Sequence, residues 1–200
     1  MSTANFVDDA LLWHRFQRGD TTALGQLMSA HYPALLHYGS RFTRNTDNIR
    51  DCIQDTFVEL WNRRDTLRSL AGGQVKPYLM TVLRRLLHQT YLHESRFTLL
   101  LSTDEAATES SFSPEDRLIE QETGQLSNAR IRQLLDELPR RSREAIYLRF
   151  FDNMDRAAIA QIMGISEQSV SNLFQEAFRF IRRQVTSDQF WLLWLLLLSN

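Results

Sequence analysis

The chain has 200 residues, 43% of them hydrophobic, which suits one medium domain or two small helical ones. Its single cysteine, Cys52, excludes an internal disulfide and any multi-cysteine zinc site, and fits a reducing cytoplasm. The net charge of −1 conceals a segregation: basic against acidic side chains number 12 to 9 in residues 1–97, 1 to 7 in 98–125 and 10 to 7 in 126–186, so two mildly basic blocks flank an acidic connector.

The opening MSTANFVDDA is polar, with acids where a secretory leader would carry positive charge, so no such leader is expected. A first helix is predicted over 6–18, ending near Gly19-Asp20. Thr21 or Thr22 can cap a second that runs towards His31, and Pro33 opens a third reaching about Thr43. A fourth covers 45–62, with Asn45 or Thr46 near its start. A polar loop, 63–76, contains Gly72-Gly73. Pro77 then sits where a first helical residue is tolerated, because its missing N–H costs nothing there, and the helix continues to about Ser95. The stretch STDEAATESS is small, acidic and without periodicity, as linkers are. Ser113-Pro114-Glu115-Asp116 is a helix start, with acids at the positive helix end. Helical pattern runs on to Leu138, and Pro139 begins the next helix, to about Phe151. No alternating strand pattern appears, so the fold class is all-α.

In the fourth helix, Ile49, Ile53, Phe57 and Leu60 fall on one side with Trp61 at the edge. Asp47, Asp51, Asp55 and Glu59 recur every four residues across the opposite side, with Gln54 beside them. Like charges at this spacing repel by a few tenths of a kcal/mol per pair (~0.2–0.5), which Arg50 and Arg63 partly offset. Such a face is either a solvated surface or a dock for a basic partner. Its carboxylates lack a histidine or second acidic cluster to complete a metal-ligand set. His88 and His93, five apart, are poorly placed for one helix face, and no nucleophile elbow or phosphate loop is present. An enzyme is not expected, and no cofactor is implied.

Residues 155–183, DRAAIAQIMGISEQSVSNLFQEAFRFIRR, read as two helices joined by a tight turn. Ile159, Ile162 and Met163 make one apolar face, Gly164 can take the left-handed conformation that ends the helix, and Ile165 fills the corner. Ser166 is a good N-cap. Val170, Phe174, Ala177 and Ile181 then bury one side of the second helix. The other side offers Gln168, Ser169, Ser171, Asn172, Gln175 and Arg179, which can bond base edges or phosphates. This is a helix-turn-helix, or else a hairpin that only packs.

The segment DNIRDCIQDTFVELWNRR resembles the core-polymerase-binding helix of bacterial sigma factors, in which an acid, a glutamine, a phenylalanine and a tryptophan recur at the spacing of Asp51, Gln54, Phe57 and Trp61. VKPYLMTVLRRLLHQTYLHES looks like the helix that reads the −10 promoter element. LLDELPRRSREAIYLRFFDNMDRAAIAQIMGISEQSVSNLF is similar to the −35-reading domain. Their order, over about residues 6–186, resembles the extracytoplasmic-function (ECF) group of the sigma-70 family. The resemblance implies a region-2-type helical bundle (6–96), a flexible acidic linker (97–113) and a region-4-type helix-turn-helix domain (114–186), followed by an apolar tail (187–200).

By the same resemblance, Asp51, Gln54, Asp55 and Glu59 would dock on the β′ clamp helices of core RNA polymerase, whose β subunit is also expected to be touched. The loop 63–76 would hold a flipped base, with Arg63, Arg64, Lys76, Arg84, Arg85 and Gln89 along the −10 strand. Arg156, Gln168, Ser169, Ser171, Asn172, Gln175 and Arg179 would meet the −35 element, with Arg140, Arg141, Arg143, Arg182 and Arg183 as further phosphate contacts. An anti-sigma factor is the other expected partner, and the expected location is the cytoplasm.

The chain departs from the family pattern at Ala158, at Ser171 and Asn172, at Arg85 and at Glu176, where a basic residue is usual. These changes imply weak DNA affinity for the free protein. Tyr78 stands where tryptophan is usual and is read as core. Phe190 to Leu198 are nine consecutive apolar residues, too short to span a bilayer, and they are expected to dock on this chain's own helices, on a protein partner or on a membrane surface. The competing function is a helix-turn-helix regulator that binds operators without polymerase; it leaves the acidic helix unexplained.

Overall fold

Several breaks between helices carry chemical signals of their own, and the computed structural model shows how those signals are used among the described residues. It describes residues 3–67, 74–101 and 135–184, with side-chain surroundings for 10–67, 74–92 and 135–184. Among the described residues there are seven helices: α1 (Thr3–Gln17), α2 (Thr21–Gly39), α3 (Thr46–Arg63), α4 (Val75–Leu101), α5 (Arg140–Phe150), α6 (Arg156–Met163) and α7 (Glu167–Gln184). The chain divides into two units, Met1–Ser110 and Ser111–Asn200.

In the first unit, α1 ends where Gly19 takes a positive φ of 85°. The cap of α2 is Asp20, one residue before the expected threonines. Its carboxylate accepts from the N–H of Thr22 at 2.8 Å and of Ala23 at 3.2 Å, and Arg15 Nε donates to it at 2.9 Å. One carboxylate thus satisfies two orphan donors and ties the end of α1 to the start of α2, which a threonine hydroxyl cannot do. The Arg15 hydrogen bond first, and the Ala23 N–H next, hold the Asp20 carboxyl below the ordinary carboxylate range.

The expected second and third helices are one. α2 runs through Pro33, although a proline inside a helix forfeits a backbone bond and costs about 3 kcal/mol. The reason is tertiary. Leu27, His31, Leu35 and Tyr38 form a single buried stripe that continues across the proline, and Ser29, whose carbonyl loses its donor, is exposed to water. α2 packs on α1, α3 and α4, and α3 packs on α4. At the α2–α3 contact, Gly39 lies so close to Ile49 that a Cβ would stand 2.5 Å from Ile49 Cγ2. The core fills with Trp13, Phe16, Leu27, Leu35, Tyr38, Ile49, Ile53, Phe57, Leu60, Leu79, Met80 and Leu83, all buried. α4 starts at Val75, with Pro77 in its first turn, and passes the expected stop at Ser95 to reach Leu101, so the first residues assigned to the linker are helical. Nothing between Pro77 and Leu101 is glycine or proline, and leucine is a good helix former.

In the second unit, Pro139 precedes α5 as its N-cap and does not form its first residue, its carbonyl accepting from Arg143 N at 2.9 Å. Asp155 caps α6 by accepting from Ala158 N at 2.8 Å, and Gly164 closes it at φ 64°. Ser166 caps α7, accepting from Ser169 N at 3.1 Å. Leu138, Ile146, Ala177 and Ile181 are the centre of this core, with Leu135, Phe150, Phe174, Phe178 and Phe180 packed around them. The glycine pair of the 63–76 loop, linker residues 102–113, the helix start at Ser113 and the apolar tail lie outside the described residues.

Candidate docking and nucleic-acid faces

Asn45 accepts from the N–H groups of Asp47 and Asn48, both at 3.2 Å, and so fixes where α3 begins. From that start, Ile49, Ile53, Phe57 and Leu60 point inward as their spacing required, joined by Cys52 and Thr56. The opposite side presents Asp51, Gln54 and Asp55, all exposed, with Val58 exposed one turn further on. Asp47 pairs with Arg50 at 3.3 Å. Glu59 stands apart from the other acids. It is only part exposed, and it pairs with Arg63 at 3.3 Å and with the Arg85 guanidinium of α4.

Of the residues expected along the −10 strand, Arg63 and Arg64 stand at the end of α3, Lys76 at the start of α4, and Arg84, Arg85 and Gln89 along its middle. Arg63, Arg85 and Gln89 are exposed; Lys76 and Arg84 are half-buried. Arg64 is committed locally. Its guanidinium carbon lies 4.6 Å from the centre of the Trp61 ring, it donates to Trp61 O at 3.0 Å, and it pairs with Asp65 at 3.6 Å. Trp61 in turn leans on Phe16, ring centres 6.1 Å apart. Tyr78 is half-buried, with its hydroxyl buried and no hydrogen-bond partner among the described residues. Burial pushes that phenol's pKa up, and the charge of Glu59 adds to the shift.

On α7, Gln168, Asn172, Gln175 and Arg179 share the exposed side, and Arg156 of α6 stands beside them. These groups are linked to one another: Gln168 donates to Asn172 at 3.2 Å, and Arg156 reaches the Ser171 hydroxyl at 3.5 Å. Ser169 and Ser171 are half-buried. The first lies 2.9 Å from the Ser166 hydroxyl, and the second donates to the Glu167 carbonyl at 3.1 Å. Two features gave no signal in the sequence. Arg143 is half-buried and donates to the carbonyls of Asp136 and Leu138, so it braces the turn before α5 and is no free phosphate ligand; burial lowers its pKa. Glu176 accepts a 2.6 Å bond from the fully buried Ser142 in the first turn of α5. Among the described residues, no group of three or more His, Cys, Asp or Glu side chains is placed to hold a metal ion, and no helix is long and apolar enough to cross a membrane.

The two faces coincide with two family models. Residues 27–97 match sigma-70 region 2, and residues 128–181 match sigma-70, region 4. The chain belongs to the sigma-70 family, in its ECF group. This sigma factor is 28% identical over 179 residues to the ECF RNA polymerase sigma factor BldN of Streptomyces coelicolor, covering 88% of this chain but only 66% of that one. To the RNA polymerase sigma factor NccH of Alcaligenes xylosoxydans it is 29% identical over 186 residues, 92% of this chain and 97% of the relative. The fold is also that of the sigma factor RpoE of Bartonella quintana, solved with the anti-sigma factor NepR, at a TM-score of 0.58 and 20% identity over 80% of this chain and 94% of RpoE.

Proposed function

We propose that this sigma factor recruits core RNA polymerase through the exposed side of α3 and directs it to promoters through α4 and α7. Asp51, Gln54 and Asp55 dock on the β′ clamp helices, with the β subunit as a further contact. The observation that carries this reading is the build of α3. One side is anchored in the core, while the other offers two carboxylates that make no ion pair among the described residues. Opposite charge on a partner answers such a face and steers its approach.

Arg63, Lys76, Arg84, Arg85 and Gln89 line the opened −10 strand, Arg64 joins them only by leaving its contacts with Trp61 and Asp65, and the loop between α3 and α4 takes a flipped base. Extrusion costs a few kcal/mol, which those contacts offset. Gln168, Asn172 and Gln175 read the −35 major groove, Ser169 and Ser171 fix the backbone at its edge, and Arg156 and Arg179 hold phosphates; phosphate contacts position, base contacts specify. The protein makes and breaks no bonds itself, needs no cofactor, and works in the cytoplasm. An anti-sigma factor, of the kind seated on RpoE, is its inhibitory partner. An operator-binding regulator would have no use for the region-2 half, so that reading is set aside.

Run-off transcription with core polymerase on a promoter library, with and without the protein, is the direct test. The wild type yields discrete transcripts. Asp51→Arg, which places a cation on the docking side, reduces them to background and abolishes co-elution with core enzyme. Equal transcription by both proteins refutes the docking assignment.

A further inference from the structure

Glu59 shares the four-residue rhythm of the α3 acids, but its surroundings differ. Its side chain is 20% exposed, whereas those of Arg63 and Arg85 are 59% and 46% exposed. The carboxylate therefore lies inside and the two cations outside. Arg63 belongs to the last turn of α3, just before the loop, and Arg85 to α4. One negative charge cannot neutralise two guanidinium groups, so the cluster keeps a net positive charge directed to solvent. Each guanidinium carries five N–H donors, more than one shared carboxylate can occupy. Tyr78, two turns before Arg85 on α4, brings a half-buried ring close enough for the Glu59 charge to act on its phenol. Reduced solvation of this kind strengthens charged hydrogen bonds. If Glu59 turned towards a polymerase, it would give up a charge-assisted hydrogen bond to Arg85 and an ion pair with Arg63 to make one contact.

We propose that Glu59 is a positioning residue of the −10 site: it holds Arg63 and Arg85 as a pair of outward cations against the melted strand's backbone and is not itself a polymerase contact. The inference rests on the sigma-factor reading above. Two long side chains fixed before the strand arrives leave less ordering to be done on binding. The bracket also joins the helix that docks on polymerase to the helix that faces DNA.

The test uses the full chain with core polymerase on a promoter recovered from the run-off library. Glu59→Gln keeps the shape and removes the charge. Core affinity is expected to stay within about twofold, while permanganate reactivity of unpaired −10 thymines falls about tenfold, the scale of one lost charged bond. A second variant separates positioning from mere support. Glu59→Arg alone lowers the thermal midpoint, and adding Arg85→Glu restores the ion pair and the midpoint but leaves opening low, since the cation no longer stands on α4. Three results overturn the proposal: core affinity lost in Glu59→Gln as in Asp51→Arg, opening unchanged in Glu59→Gln, or opening recovered together with stability in the swapped double variant. No opening by the wild type sinks the sigma-factor reading and this inference with it, whereas a defect confined to the Glu59 variants bears on the bracket alone.

Discussion

The proposed docking side of α3 and the proposed reading side of α7 are both exposed and polar, yet they are built on different principles. On α3 the outward groups are carboxylates, Asp51 and Asp55, which make no ion pair among the described residues. On α7 they are chiefly amides, Gln168 already bonded to Asn172, with the single cation Arg179 further along the same side. A charged side acts at a distance and depends on sign. A side made mainly of neutral, prebonded amides acts chiefly at contact and depends on geometry. The first suits a constant partner, and the second suits discrimination among sequences that all carry the same phosphate charge.

The contrast makes Asp51→Arg the most severe change, since it reverses the sign on which the proposed docking depends. The next largest effect concerns how firmly the charged side is seated. Gly39→Ala drives a methyl against Ile49 Cγ2 where α2 crosses α3, and overpacking of this kind costs about 1–3 kcal/mol. Urea unfolding should show that loss, and Ile49→Leu, which removes the branch at Cβ, should shrink it.

Asn172→Ala probes the neutral side. It removes a candidate base contact and frees Gln168, so promoter preference shifts by about 1–3 kcal/mol at the position read while core affinity holds. Competition between promoter variants measures it. If Asn172→Ala weakens all promoters equally, α7 acts by position and not by contact.

The smallest effect is that of Asp20→Asn, a cap remote from both sides in sequence. Because the native carboxyl titrates below the ordinary value of about 3.9, its contribution is present above that pH and disappears as pH falls through the lowered native value. The thermal midpoints of wild type and Asp20→Asn should therefore differ at pH 7 and converge in acid.

The helix-turn-helix was legible almost residue by residue, because Gly164, Ser166 and the Val170–Ala177–Ile181 stripe act within a few positions of themselves. So was the inward side of α3. What escaped was set at long range. Pro33 reads as a helix boundary because its penalty is local, whereas the buried stripe that overrides it gains its stability from three other helices. Glu59 and Arg85 are 26 positions apart, so their ion pair leaves no trace in the four-residue rhythm that Glu59 shares with the other acids of α3. At Asp20 the error was one residue, and the deciding group was Arg15 from the preceding helix.

The bond from Ser142 to Glu176 has a further consequence for ionic strength. The first turn of α5 is a positive helix end, a natural seat for a DNA phosphate, and a carboxylate already stands beside it. That carboxylate offsets part of the pull that the helix end, Arg140 and Arg141 exert on a duplex, so in the proposed arrangement fewer phosphates are neutralised than the number of arginines suggests. Few phosphates neutralised means a shallow decline of affinity with added salt. Such a protein gains little from naked DNA and is freed from it cheaply, leaving its promoter choice to be made in the company of polymerase.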